Sequence, residues 1–183
     1  MPMLPGAQWL LMTALAWVVM SDLLYRRIPN RLVLLLLAVW LLHPLLALFG
    51  TGPWADGIEW GAWVGWPLLA AALVLVFGYG LFLIKRVGAG DVKLMAVLML
   101  WAGSHGLIFL MVTSLAGGVL ALALPLLNMI ELTLAHGMVR LGARLPGRNP
   151  PLPLILGNDR PAGIPYGLAI AAGAACTFGL MAR

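Results

Sequence analysis

Between Leu94 and Ile130 the chain runs for 37 positions without one Asp, Glu, Lys or Arg. As helix, at 1.5 Å per residue, such a run is about 55 Å long, nearly twice the ~30 Å hydrocarbon core of a bilayer. No water-soluble domain accommodates it. Only 9% of the residues are charged, against about 25% in soluble domains, and the mean hydropathy is +1.03. Barrel strands alternate apolar and polar residues, whereas these runs are apolar throughout, so an all-α polytopic membrane protein is predicted. The net charge of +5 reflects 6 acids against 11 bases. A deficit of acids in so apolar a chain argues against disorder and against nucleic-acid binding. A single cysteine, Cys176, excludes a disulfide framework and a multi-cysteine zinc site.

Charge-free runs predict six spans, at 8–24, 32–49, 60–84, 91–103, 106–131 and 164–181, in one membrane-embedded domain covering 1–183. Ala102-Gly103-Ser104-His105-Gly106 is the turn that divides the longest run. Arg26, Arg27 and Arg31 follow span one, Lys85, Arg86 and Lys93 follow span three, and Arg140, Arg144, Arg148 and Arg160 follow span five. Those loops share one side and hold all the bases but Arg183, so the positive-inside rule puts them in the cytoplasm and both termini outside. A secretory signal peptide needs a basic start. No Lys or Arg precedes the first apolar run, which is therefore read as a span despite its Ala14-Leu15-Ala16 triplet. Residues 136–162, rich in Pro, Gly and Arg, form the one cytoplasmic excursion. Its arginines at 140, 144 and 148 either line a helical face lying on anionic lipid or belong to an irregular loop broken by Gly137, Gly142 and Pro146. Most of the eight tryptophans fall near span ends, as in an interfacial aromatic belt.

With so few charges, each acid is read singly. Asp56 and Glu59 lie in the outer loop and Asp159 sits beside Arg160, all as solvated residues. Glu131 is near the cytoplasmic end of span five, either buried or reaching the interface. Asp22 and Asp91 remain. A charged side chain at the centre of a membrane helix costs about 2.5–3.5 kcal/mol on insertion scales, so such residues face the protein interior and work. Asp22 precedes Ile28-Pro29-Asn30. Pro29 disfavours helix at Ile28 and Asn30 suits the start of span two, which puts Asp22 just inside the cytoplasmic end of span one. Asp91 follows Gly88-Ala89-Gly90, where two glycines allow a tight turn and close backbone approach, and it opens a span too short to start far out in water. Two carboxylates at one depth on one side suit a particular chemistry. Close together they cannot both ionise and so share a proton; one then activates water while the other polarises an amide carbonyl, as in aspartic proteases. The plainer readings are an Asp22–Arg26 pair at i, i+4 and Asp91 as a helix cap. A proton relay in a small transporter and a non-catalytic assembly subunit are the alternatives from other classes.

Three segments together, Asp22 with Ile28-Pro29-Asn30, then Gly88-Ala89-Gly90-Asp91-Val92-Lys93-Leu94, then Ile164-Pro165-Tyr166-Gly167-Leu168-Ala169-Ile170, resemble the type IV prepilin peptidase family, membrane aspartic peptidases with a Gly-x-Gly-Asp site. The resemblance implies that Asp22 and Asp91 are the catalytic pair and that the chain cleaves the short basic leader from prepilin or pseudopilin precursors at the cytoplasmic face of the bacterial inner membrane. Long members carry a paired-cysteine cytoplasmic insertion associated with N-methylation, which this chain lacks. It resembles the short form found with tight-adherence (Flp-type) pili, and Flp-type prepilins are the implied partners, cleaved without N-methylation. Around the motifs, Gly88, Gly90, Pro29 and Asn30 shape the site. Lys93 either contacts substrate or is a topology base. Pro165, Tyr166 and Gly167 either bring backbone close to the scissile peptide or merely begin a helix with an interfacial tyrosine. No metal or cofactor is expected: His-Glu-x-x-His is absent, and His43, His105 and His136 lie away from the aspartates along the chain. Adjacent Ser104 and His105 do not make a nucleophile–base pair. The precursor's apolar segment is expected to dock against spans one and four, and nothing in the sequence fixes the oligomeric state.

Overall fold

A computed structural model of the protein describes residues 6–49, 61–142 and 165–181. Those residues are helical almost throughout, with no strand, in seven α-helices: α1 (Ala7–Tyr25), α2 (Asn30–Leu48), α3 (Trp66–Leu83), α4 (Ala89–Ala102), α5 (Gly106–Leu122), α6 (Leu124–Gly142) and α7 (Tyr166–Met181). Among them α1, α3 and the stretch Ala89–Leu122 are long and apolar enough to cross a membrane, and α2 and α7 carry shorter apolar segments. Large apolar side chains face outward all around the molecule, among them Leu34, Leu69, Phe77, Leu115 and Leu122. Such a surface needs a hydrocarbon solvent, and helices satisfy their own backbone groups there. The chain is a polytopic helical membrane protein.

Reversal between α4 and α5 occurs where expected. Gly103 takes φ +54 and a single 3-10 turn covers Gly103–His105. The return is visible in the pairing of α5 with α7, where Thr113 abuts Gly173 and Gly117 lies under the Tyr166 ring. Glycine on one helix facing a larger side chain on the other lets membrane helices approach closely, and α7 also packs on α1 and α4. A second tie joins α2 to α4, which run parallel. Trp40 Nε1–H donates to the Leu100 carbonyl at 3.0 Å and Trp101 Nε1–H to the Leu36 carbonyl at 3.1 Å. Both indoles are almost wholly buried, and a buried indole N–H needs a partner. The belt reading therefore fails for these two. Trp9, Trp17 and Trp66 are exposed, whereas Trp40 and Trp101 are core residues. His43 stands edge-on to Trp101 with centroids 5.4 Å apart, far along α2 from the aspartates.

The fifth span differs from its expected course over 106–131. Helix α5 stops at Leu122, and α6 begins at Leu124 with Pro125 in its first turn, where proline's fixed φ and missing N–H are tolerated. Over 124–140 the buried residues of α6 are Leu127, Glu131 and Ala135, spaced by four along one face, and α6 meets α1 and α5. Residues 136–142, expected in the cytoplasmic excursion, continue this helix, with Arg140 in its last turn. The rest of that excursion, including Arg144, Arg148, Asp159 and Arg160, lies outside the described residues, as do Asp56, Glu59 and Ile164.

Candidate active site

Helix α1 ends just past Asp22. Arg26 caps it in the left-handed region at φ +49, its N–H bonded to the Asp22 carbonyl at 3.0 Å. The chain then turns through Ile28-Pro29, and α2 begins at Asn30, where the Pro29 carbonyl accepts the Leu32 and Val33 N–H groups. Asp22 itself is buried, 5% exposed. Its carboxylate is held from another helix: the Gly167 N–H donates to Oδ2 at 2.8 Å, and the Leu168 N–H contributes as well. Both are first-turn amides of α7; the Leu168 N–H also donates to the Pro165 carbonyl at 3.2 Å, whereas the Gly167 N–H is one of those that lack a partner within the helix. An anion placed there is bonded directly and favoured by the helix dipole. The approach is so close that a Cβ on Gly167 would lie 2.8 Å from Asp22 Oδ2.

Asp91 is seated in the same manner on its own helix. Gly88 is the extended N-cap of α4, with φ −74 and ψ 143, and Asp91 lies in the first turn. Its carboxylate reaches back to the Gly88 N–H, the return bond of a capping box. Gly90 admits the neighbouring loop, since a Cβ there would stand 3.2 Å from that of Ile28. The two sequence motifs thus touch through Ile28 and Gly90. The carboxylates of Asp22 and Asp91 come within electrostatic reach of each other, each resting on the N-terminus of a different helix.

Lys93 sits two residues on, roughly 200° around α4 from Asp91. Its Nζ is 3.5 Å from Asn30 Oδ1. Both residues stand at the polar end of a cavity of about 570 Å³ between α2, α3 and α4, lined otherwise by apolar residues including Val33, Leu37, Leu68, Ala71, Val97 and Leu100. Pro165 is buried, and Tyr166 is half-buried with its ring over Gly117. This third motif holds Asp22. That task is distinct from either role expected of it in the sequence.

One participant escapes the sequence reading. Glu131, 1% exposed, pairs with Arg26 at 2.7 Å. The bond joins residues 105 positions apart, whereas the plainer reading of the sequence pairs Arg26 with Asp22. Both members act electrostatically on Asp22. The signal available was an acid in an apolar helix near the level of Asp22. Among the described residues no three His, Cys, Asp or Glu side chains gather as a metal ion would require.

A profile of the type IV leader peptidase family matches residues 9–122. That stretch contains Asp22, Asn30, Gly88, Gly90, Asp91 and Lys93, and ends before Glu131 and Gly167. No individual curated protein and no solved structure matches the chain.

Proposed function

Since the chain belongs to the type IV leader peptidase family, we propose that it is an aspartic endopeptidase whose catalytic pair is Asp22 and Asp91. The observation that carries this reading is the convergence of two acids, 69 positions apart, with each carboxylate placed on helix-terminal amides within reach of the other. In the proposed reaction one carboxylate takes a proton from water as its oxygen adds to the scissile carbonyl carbon. The other, as carboxylic acid, donates its proton to the carbonyl oxygen. Collapse of the tetrahedral adduct breaks the C–N bond and returns a proton to the leaving amine. The family implies prepilin-type precursors as substrates. Their apolar segment is proposed to dock against α1 and α4 beside the two aspartates; the cavity between α2, α3 and α4 lies around α4 from Asp91, and neither aspartate lines it. A proton relay through the same two acids would require a polar path across the molecule. Toward the far ends of α2 and α4 the packing is mainly apolar, around Leu36, Trp40 and Trp101, with His43 beside Trp101.

Flp-type precursors fit this chain best. It has a single cysteine and no cysteine-rich cytoplasmic insertion between α1 and α2. Co-expression with an Flp-type prepilin is expected to shift the precursor to its mature size on a gel and leave a free N-terminal amine by mass spectrometry. An unprocessed precursor sinks the activity, and an N-methyl group appearing only with this protein sinks the second claim.

The site is proposed to open at the cytoplasmic face of the bacterial inner membrane, because the sequence puts ten of the eleven bases in, or within a turn or so of, the connections on its side. Reporter fusions after Arg31 and Lys85 are expected to read cytoplasmic, and one after Glu59 periplasmic. The reverse pattern would place the aspartates on the wrong face for a leader held in the cytoplasm.

A further inference from the structure

We propose that Glu131, acting through Arg26, is a positioning residue for Asp22, a proposal that rests on the aspartic-peptidase reading above. The Arg26–Glu131 pair is buried on both sides, with 14% and 2% of the two side chains exposed, and its N···O distance is 2.7 Å. A buried ion pair is weak evidence for stability, since apolar residues of similar volume often do as well or better. Its placement points to another use. Arg26 is tied to the active aspartate twice, through its N–H on the Asp22 carbonyl and through its positive charge. Its left-handed backbone, φ +49, departs from the direction of α1. The guanidinium is then fixed by an acid from α6, a helix that supplies little else to the site and buries a single stripe of Leu127, Glu131 and Ala135.

The arrangement gives Asp22 two fixed supports. The α7 amides hold its Oδ2, and the Arg26 cation, immobilised by Glu131, sets the field around it. The groups facing Asp22 are Arg26 on its own chain segment, Glu131 from α6, Asp91 from α4 and the Gly167 and Leu168 amides from α7. Arg26 is the cation among them. Removing the Glu131 charge changes both the contacts of the guanidinium and the field beside the Asp22 carboxylate, and a misplacement near 1 Å at a reacting group costs about 10²-fold in turnover.

Two variants test this in cells or detergent in which the wild type processes its precursor. Failure of the wild type to cleave would sink the peptidase reading before either variant is considered. Glu131→Gln keeps an oxygen acceptor for Arg26 and removes the charge. The double variant Arg26→Met, Glu131→Leu replaces the pair by apolar groups that still dock α6. Each is expected to insert and melt near the wild-type temperature. Each should lower kcat by about 10-fold or more with KM little changed, because the pair is buried and acts on Asp22 instead of on the bound segment. Glu131→Asp should recover part of the loss seen with Glu131→Gln. Wild-type kcat in either variant, or a defect confined to KM, overturns the proposal. If the double variant fails to insert, Glu131→Gln alone decides.

Discussion

Asp22→Asn and Asp91→Asn are each expected to lower precursor cleavage by about 10³-fold or more, while the protein remains inserted and folded. Asparagine keeps the size of aspartate and one carbonyl oxygen, so in Asp22→Asn the amide oxygen can still accept the Gly167 N–H that now reaches Oδ2. It can neither take a proton from water nor give one to a carbonyl. The two losses should also be non-additive. In a dyad each acid is useful only with its partner, so the double variant is expected to be scarcely worse than either single one. Cleavage of an Flp-type precursor, read by gel shift with membrane insertion as control, provides the measurement. Processing at the wild-type rate by either single variant would overturn the aspartic mechanism. A relay or scaffold reading predicts no such dependence of cleavage on both acids. Arg26 separates the cases further. If Asp22 served mainly as its ion-pair partner, Arg26→Ala would match Asp22→Asn in severity. The buried bond of Arg26 to Glu131 predicts a loss about a hundred-fold smaller.

Why the aspartates stand out in the sequence and Glu131 and Gly167 do not has a physical answer. In so apolar a chain a charge is conspicuous, and its cost in hydrocarbon limits where it can go. Asp22 and Asp91 are therefore legible as partners, as is the turn at Gly103, where the run is too long for one crossing. Hydropathy does not tell core from lipid when both are apolar. Helices α3 and α4 are both strongly apolar, yet α3 turns nearly all its large residues outward and α4 buries most of its length. For the same reason Trp40 and Trp101 cannot be told from belt tryptophans such as Trp9. The break after Leu122 does have a sequence signal in Pro125, a residue suited to a first helical turn. The charge-free run conceals it when length is the only ruler applied. The Gly167–Asp22 bond joins residues 145 positions apart, and no local pattern encodes such a pairing. Its motif is visible in the sequence, but the task of that motif is not.

That bond supplies the second large effect. Gly167→Ala adds one methyl group whose carbon would stand 2.8 Å from Asp22 Oδ2, 3.1 Å from Cγ and 3.2 Å from Cβ. No far end of a flexible chain is available to yield, because the obstructing atoms are the buried carboxylate itself. Either Asp22 rotates off the α7 amides or the first turn of α7 withdraws, and both change the spacing to Asp91. A misplacement near 1 Å at reacting groups is worth about 10²-fold in rate, so kcat is expected to fall by about that factor. Stability should move far less, since alanine is the better helix former by about 1 kcal/mol and offsets part of the crowding. Gly118→Ala is the matched control, because a Cβ there meets nothing within 4 Å and turnover should be unchanged. The comparison is sharpest against Asp22→Asn, which keeps the bond and loses the chemistry, whereas Gly167→Ala keeps both carboxylates and loses the placement. Full activity in Gly167→Ala would mean that the α7 amides do not set the working position of Asp22, and the role assigned to the third motif would fall with it.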